Sequence, residues 1–146
     1  MALNTQIEIR HLESMTSGTT EFYTPHSSHE TMLVQVRSRA VEDLFVHRFQ
    51  TDQLLVVRGS FVLVVLQNRR YQYIPLSDRC GKVVTIPPGV VHSAINLNDE
   101  PCLMVNAVLR QGSPHPKDYR PLKPPIPYDL TAARRALDRL NLTAIG

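Results

Sequence analysis

The sequence predicts an all-β domain, a sandwich or barrel, and three observations predict it. Eight short β-rich runs succeed one another between residues 32 and 110, turn residues separate them, and several of them alternate apolar with polar side chains. The runs are Met32 to Arg39, Leu44 to Phe49, Leu54 to Val57, Phe61 to Leu66, Arg70 to Pro75, Lys82 to Ile86, Ser93 to Leu97 and Cys102 to Leu109. Alternation around Val34, Gln35, Val36 and Arg37 suits a strand with one wet face. Phe61 to Leu66 is apolar at every position, so this strand is expected to be covered on both faces. Gly59-Ser60, Asn68-Arg69 and Asp78 to Gly81 mark hairpins.

After Leu109 the character changes. Pro114, Pro116, Pro121, Pro124, Pro125 and Pro127 remove backbone donors and exclude a regular helix or a central strand, which predicts an extended, polyproline-like arm over residues 113–128. A short terminal helix is expected over 129–146. Asp129 is its cap, and Leu130, Ala133, Leu137 and Leu140 form the apolar stripe that packs on the same domain. The barrel itself, with an N-terminal strand at Ile7-Glu8-Ile9, occupies 1–112.

Composition narrows the class. With 146 residues the chain is the length of one domain, and 42% hydrophobic with 20% charged residues argues against disorder. The 16 basic and 13 acidic residues are scattered, which argues against nucleic-acid binding, while the net charge of +3 suits an anionic small molecule. The longest apolar run is too short to span a bilayer and the start is not a leader, so a cytoplasmic chain without membrane contact is expected. Cys80 and Cys102 are then expected to stay reduced.

The chemistry concentrates between Gly81 and Asn96. A strand runs into Pro87-Pro88-Gly89, whose prolines end the ladder and whose glycine allows a tight turn, and the chain re-enters a strand at His92. His92 is thereby delivered to the mouth of a barrel. The spacing G-x5-P-x-G-x2-H-x3-N matches the second motif of the cupin superfamily at every fixed position, and the chain therefore resembles a cupin, which implies a double-stranded β-helix, or jelly-roll barrel. The first cupin motif is partly present: Gly59 closes it, Asp52 stands in its glutamate slot and His47 in the slot of its second histidine. Phe45 replaces the first histidine and Arg39 the opening glycine.

Two metal-free branches of that superfamily look nearest. Leu76-Ser77, Ile86 to His92, Leu97-Asn98-Asp99 and Tyr119-Arg120-Pro121 resemble the dTDP-4-dehydrorhamnose 3,5-epimerases. His47 to Phe61 is similar to the dTDP-4-keto-6-deoxyhexose ketoisomerases. The resemblance implies proton removal beside a keto group, with His47 as base, Asp52 or His92 as its support, and Tyr119, Tyr71 or Tyr73 as donor to an enolate oxygen. Gln53, Arg58, Tyr71, Tyr73 and Asn96 are the candidate substrate contacts, and the ligand is an anionic sugar or sugar nucleotide. A non-catalytic binding cupin and a metal-dependent, dioxygenase-like enzyme are the rival readings. No cofactor is favoured; a divalent metal, if bound, would use His47, Asp52 and His92. A homodimer is expected, with residues 1–10 or the proline arm in its interface and surplus apolar residues of the strands beneath it.

Overall fold

The computed structural model describes residues 7–12, 14–17, 20–23, 27–113 and 115–145, and within them the chain is built of antiparallel strands and one helix. The strands are β1 (Glu8–His11), β2 (Ser14–Ser17), β3 (Thr20–Tyr23), β4 (Glu30–Val36), β5 (Ala40–Val41), β6 (Leu44–His47) and β7 (Gln50–Arg58). They continue as β8 (Ser60–Gln67), β9 (Arg70–Ser77), β10 (Lys82–Ile86), β11 (Val91–Asn96), β12 (Cys102–Arg110) and β13 (Tyr119–Leu122), and α1 spans Leu130–Ile145. One sheet has the order β1-β10-β7-β12-β4; the other runs β13-β6-β11-β8-β9, with β5 also pairing β11. Strands β2 and β3 form a separate hairpin. This is an all-β jelly roll of two facing antiparallel sheets, as expected.

The core lies between the two sheets. Val36, Leu54, Val56, Val84, Ile86 and Met104 of the first meet Phe61, Leu63, Val65, Ile74 and Leu76 of the second. Removing that apolar surface from water is the main force closing the barrel, at roughly 25 cal/mol per Å². Turns follow local chemistry. Asn68 and Arg69 both take positive φ, 53° and 61°, in a two-residue hairpin whose twist matches strands β8 and β9. Gly59, at φ 89°, joins β7 to β8, and a Cβ there would stand 3.1 Å from the Pro101 carbonyl oxygen.

The all-apolar run of β8 is covered on both faces, and its outer cover is intramolecular. Val62 and Val64 pack with Ile95 against Ala133 and Leu137 of α1, so these apolar residues need no second subunit. Asp129 caps the helix, accepting from the Ala132 amide at 3.0 Å. The buried stripe is Ala133, Ala136 and Leu137; Leu130, expected on it, is 44% exposed.

Among the departures from the sequence expectation, three bear on the site and its surroundings. Strand β7 starts at Gln50 rather than Leu54, because tertiary partners satisfy the polar groups that break its apolar pattern. Strand β4 ends at Val36, before Arg39 takes a φ of 56°. In the proline arm, Tyr119–Leu122 is not a free extended segment but an edge strand on β6, where proline is tolerated. The Ile7-Glu8-Ile9 run contributes to β1, which pairs β10 of its own sheet; residues 1–6 lie outside the described residues. Both cysteines are free thiols, and burial pushes the Cys102 thiol up to about 11. Among the described residues no helix is long and apolar enough to cross a membrane.

Candidate active site

Strand pairing places the two histidines on one wall. His92 of β11 lies opposite Phe45 of β6, and His47 follows Phe45 by two residues, so all three side chains leave the same face of the sheet. The turn at Gly89 braces this arrangement, because its amide donates to the His47 carbonyl oxygen at 2.8 Å. The imidazole centroids are 6.3 Å apart, and the Phe45 ring lies 4.3 Å from His92 and 5.7 Å from His47. Both histidines line a cavity of about 490 Å³ inside the barrel. On the opposite sheet Met32, Val34, Val36, Leu54 and Met104 form the apolar part of the lining. Polar groups gather around Asp52, Gln50, Asn106 and Arg110.

His47 has a carboxylate partner that is neither Asp52 nor any other residue expected from the sequence. Its Nδ1 lies 2.6 Å from Oδ2 of Asp118. The other oxygen, Oδ1, accepts from the backbone amides of Phe49 at 2.6 Å and Arg48 at 3.1 Å, so the carboxylate is clamped to the turn that carries the histidine. Burial pushes the Asp118 carboxyl up, but the Phe49 amide, the His47 ring and the Arg48 amide outweigh it, and the group is held below the ordinary carboxylate range. An ionised Asp118 accepts the Nδ1 hydrogen and leaves the Nε2 lone pair of His47 on the cavity side.

Asp52 enters from β7, on the other sheet. Its Oδ1 accepts from the Gln50 amide at 2.6 Å and the Asn106 amide at 2.9 Å, and its Oδ2 faces His92 Nε2 at 3.4 Å and His47 Nε2 at 3.7 Å. Burial raises this carboxyl too, yet the contacts with His92, Asn106 and Gln50 and the nearby His47 hold it below the ordinary range. His92 is fixed from behind, its Nδ1 lying 2.8 Å from the Val90 carbonyl oxygen. Arg110 donates to Gln50 Oε1 at 3.0 Å and to Glu30, and is the one cation among the described residues lining the cavity.

Of the residues singled out in the sequence, His47, Asp52, His92 and Tyr119 meet at this cavity. Tyr119, 55% exposed, pairs with His47 across β13 and β6, and its ring, tilted by 59°, lies 5.9 Å from the imidazole. The other five candidates lie elsewhere because their polar groups serve the scaffold or face solvent. Gln53 donates to the carbonyls of Ser27 and Ala107, and Asn96 to those of Val36 and Glu100. Tyr71 and Tyr73 tie the C-terminal arm to the outer face of β9, through the Ile126 carbonyl and the Asp129 amide. Arg58 is exposed at the end of β7. Asp118, Gln50, Asn106 and Arg110 were not legible as site residues. The nearest signal was Asp118 standing beside Tyr119.

The donor set does not fit a resident divalent cation. Among the described residues no group of three or more His, Cys, Asp and Glu side chains is placed to hold a metal ion. The Gln50 amide stands 3.5 Å from His47 Nε2, and Phe45 fills the position where a further imidazole would complete the ligand set.

No family model matches the chain, and no curated protein does. Solved structures do match. A dTDP sugar isomerase from Desulfovibrio desulfuricans G20 superposes with a TM-score of 0.70 at 16% identity, covering 89% of this chain and 94% of that one. NovW, a 4-keto-6-deoxy sugar epimerase from the novobiocin biosynthetic gene cluster of Streptomyces spheroides, gives 0.66 at 14%, covering 84% and 72%. The 3,4-ketoisomerase QdtA from Thermoanaerobacterium thermosaccharolyticum, in complex with TDP, gives 0.63 at 12%, covering 94% and 98%. The chain has the cupin fold that these sugar isomerases and epimerases share.

Proposed function

We propose that this cupin isomerises or epimerises an enolisable, anionic carbohydrate, with a 4-keto sugar nucleotide as the ligand class. The observation that carries the reading is the His47–Asp118 pair at 2.6 Å beside a cavity of about 490 Å³. A proton next to a carbonyl is removed by a base with a free lone pair and a counter-charge for the cation it becomes. His47 Nε2, engaged only by the long 3.5 Å contact from the Gln50 amide, supplies the first and Asp118 the second. Arg110, at the Glu30 side of the cavity, is suited to an anionic group of the ligand. Tyr119, beside His47, is placed to touch the ligand, and no cofactor is needed for such a proton transfer.

The test uses TDP-4-keto-6-deoxyglucose in D2O, read by NMR. Deuterium entering the ligand with wild type and lost with His47→Gln is expected; equal incorporation with both proteins would sink the assignment. A binding cupin without turnover is the second reading, favoured by Phe45, which fills part of the cavity against His92. Ligand-induced thermal stabilisation with no deuterium incorporation would move that reading to first place.

We also infer a homodimer. The supporting surface is the outer face of the five-stranded sheet, where Leu33 is 70% and Val57 45% exposed, with β1 at its edge.

A further inference from the structure

The imidazole of His47 is approached from both edges, by Asp118 at Nδ1 and by Gln50 at Nε2. Gln50, 6% exposed, opens β7, and Arg110 stands directly opposite it on β12. Directly opposed residues leave the same face of a sheet, so the guanidinium and the carboxamide meet where both line the cavity. Arg110 Nη1 donates to Gln50 Oε1 at 3.0 Å, and Gln50 Nε2 donates to Asp52 Oδ1 at 2.6 Å. A guanidinium only donates and a carboxylate only accepts, so the carboxamide has one allowed orientation. A flipped amide would set donor against donor and acceptor against acceptor.

That orientation presents Gln50 Nε2 to His47 Nε2 at 3.5 Å, beyond the range of about 2.7–3.2 Å for a normal hydrogen bond. The lone pair is faced but not taken. Two shorter bonds, to Arg110 and Asp52, keep the amide from closing that gap. Arg110 is anchored in turn: its Nε and Nη2 donate to Glu30 Oε2 at 3.2 and 2.9 Å, and its backbone amide donates to His29 Nδ1 at 2.9 Å. Glu30, Arg110 and Gln50 thus form a chain that ends at the imidazole edge opposite Asp118.

Resting on the base reading above, we propose that Arg110 is a positioning residue for His47, acting through Gln50. It holds the carboxamide back from Nε2, so that the lone pair stays open to the ligand. This role is separate from its contact with an anionic group of the ligand. Each Nη nitrogen carries two hydrogens, so one on each remains for the ligand while the others hold Gln50 and Glu30. Without the guanidinium the buried Gln50 oxygen loses this donor, and the carboxamide is free to turn onto His47.

The experiment is a double-mutant cycle with Arg110→Met, Gln50→Leu and the double variant, each confirmed as folded by thermal unfolding, on TDP-4-keto-6-deoxyglucose in D2O followed by NMR. Arg110→Met is expected to raise KM and to lower kcat by up to about 100-fold, the scale for misplacing a reacting group by about 1 Å. In the Gln50→Leu background the same substitution should raise KM equally but lower kcat no further, since residues of one network are not additive. Effects on kcat that multiply, or an Arg110→Met protein changed in KM alone, would overturn the positioning role; the second outcome needs no Gln50 variant to fold. The ring 15N–1H signals of His47, assigned with His47→Gln, test the chain without any substrate. They are expected to move on Arg110→Met when Gln50 is present and to stay in place when it is Leu. Signals that move equally in both backgrounds, or in neither, would overturn the chain. A wild type that returns the ligand unchanged would overturn the base reading, and the ring signals then decide the chain by themselves.

Discussion

His47 and Asp118 stand 71 residues apart in the chain, yet the imidazole Nδ1 and the carboxylate Oδ2 meet at 2.6 Å. The same carboxylate binds the amides of Arg48 and Phe49, so a single side chain orients the histidine and closes the turn behind it. Replacing Asp118 by Asn keeps an oxygen for the backbone amides and removes the charge. Turnover of a 4-keto sugar nucleotide is expected to fall by about 100-fold or more, on the scale of losing general-base assistance, while circular dichroism stays unchanged. Full activity in Asp118→Asn would show that the pair is only structural.

Two buried carboxylates, Asp52 and Asp118, have their pKa values lowered from 3.8. A depressed folded-state pKa contributes stability that is present above the unfolded value and lost as pH falls through the folded one. Unfolding by urea between about pH 6 and pH 2.5 should therefore show stability dropping below about pH 4, the ordinary carboxylate range. The Asp52→Asn/Asp118→Asn double variant should lose less over that interval. Parallel pH curves for the two proteins would contradict the assignment.

Helix α1 is expected to behave as part of the barrel. Leu137, 1% exposed, covers Val62 and Val64, and truncation to Ala should cost about 2–5 kcal/mol, the range for a buried leucine. Leu142 is 71% exposed, and its truncation should change stability by no more than about 0.5 kcal/mol. Chemical denaturation of the two variants compares them directly; equal effects would mean that the helix does not hold its place on the sheet.

Elemental analysis should find well below one metal ion per chain after dialysis without chelator. Phe45 and the amide of Gln50 occupy the space that a resident cation's remaining ligands would need. Near-unit zinc, iron, nickel or manganese would return the dioxygenase-like reading.

Light scattering at micromolar concentration should give twice the 16.5 kDa mass of the chain. Exchanging Leu33, 70% exposed, for Asp should then produce the monomer without loss of fold. A monomeric wild-type protein would refute the dimer.

What the sequence determined by itself was local. Strand β10 appears over the predicted residues Lys82 to Ile86, and the Asn68-Arg69 hairpin and the Asp129 cap form where their side chains favour them. The Gly81 to Asn96 motif carried the fold, because a proline–glycine turn entering a strand at His92 has a fixed geometry. Tertiary structure decided whatever depends on contacts between distant segments. The polar start of β7 is a strand only because Arg110 and Asn106 donate to Gln50 and Asp52 and the Ala107 carbonyl accepts from Gln53. Tyr71 and Tyr73 face α1 and the arm rather than the cavity, since which side of β9 is covered is set by where the helix lands. Asp118 became the partner of His47 when β13 added itself to the edge of β6, a pairing written in neither segment alone. Periodicity and turn chemistry act over a few residues, while the hydrogen bond between His47 and Asp118 forms only once the barrel has brought distant segments together.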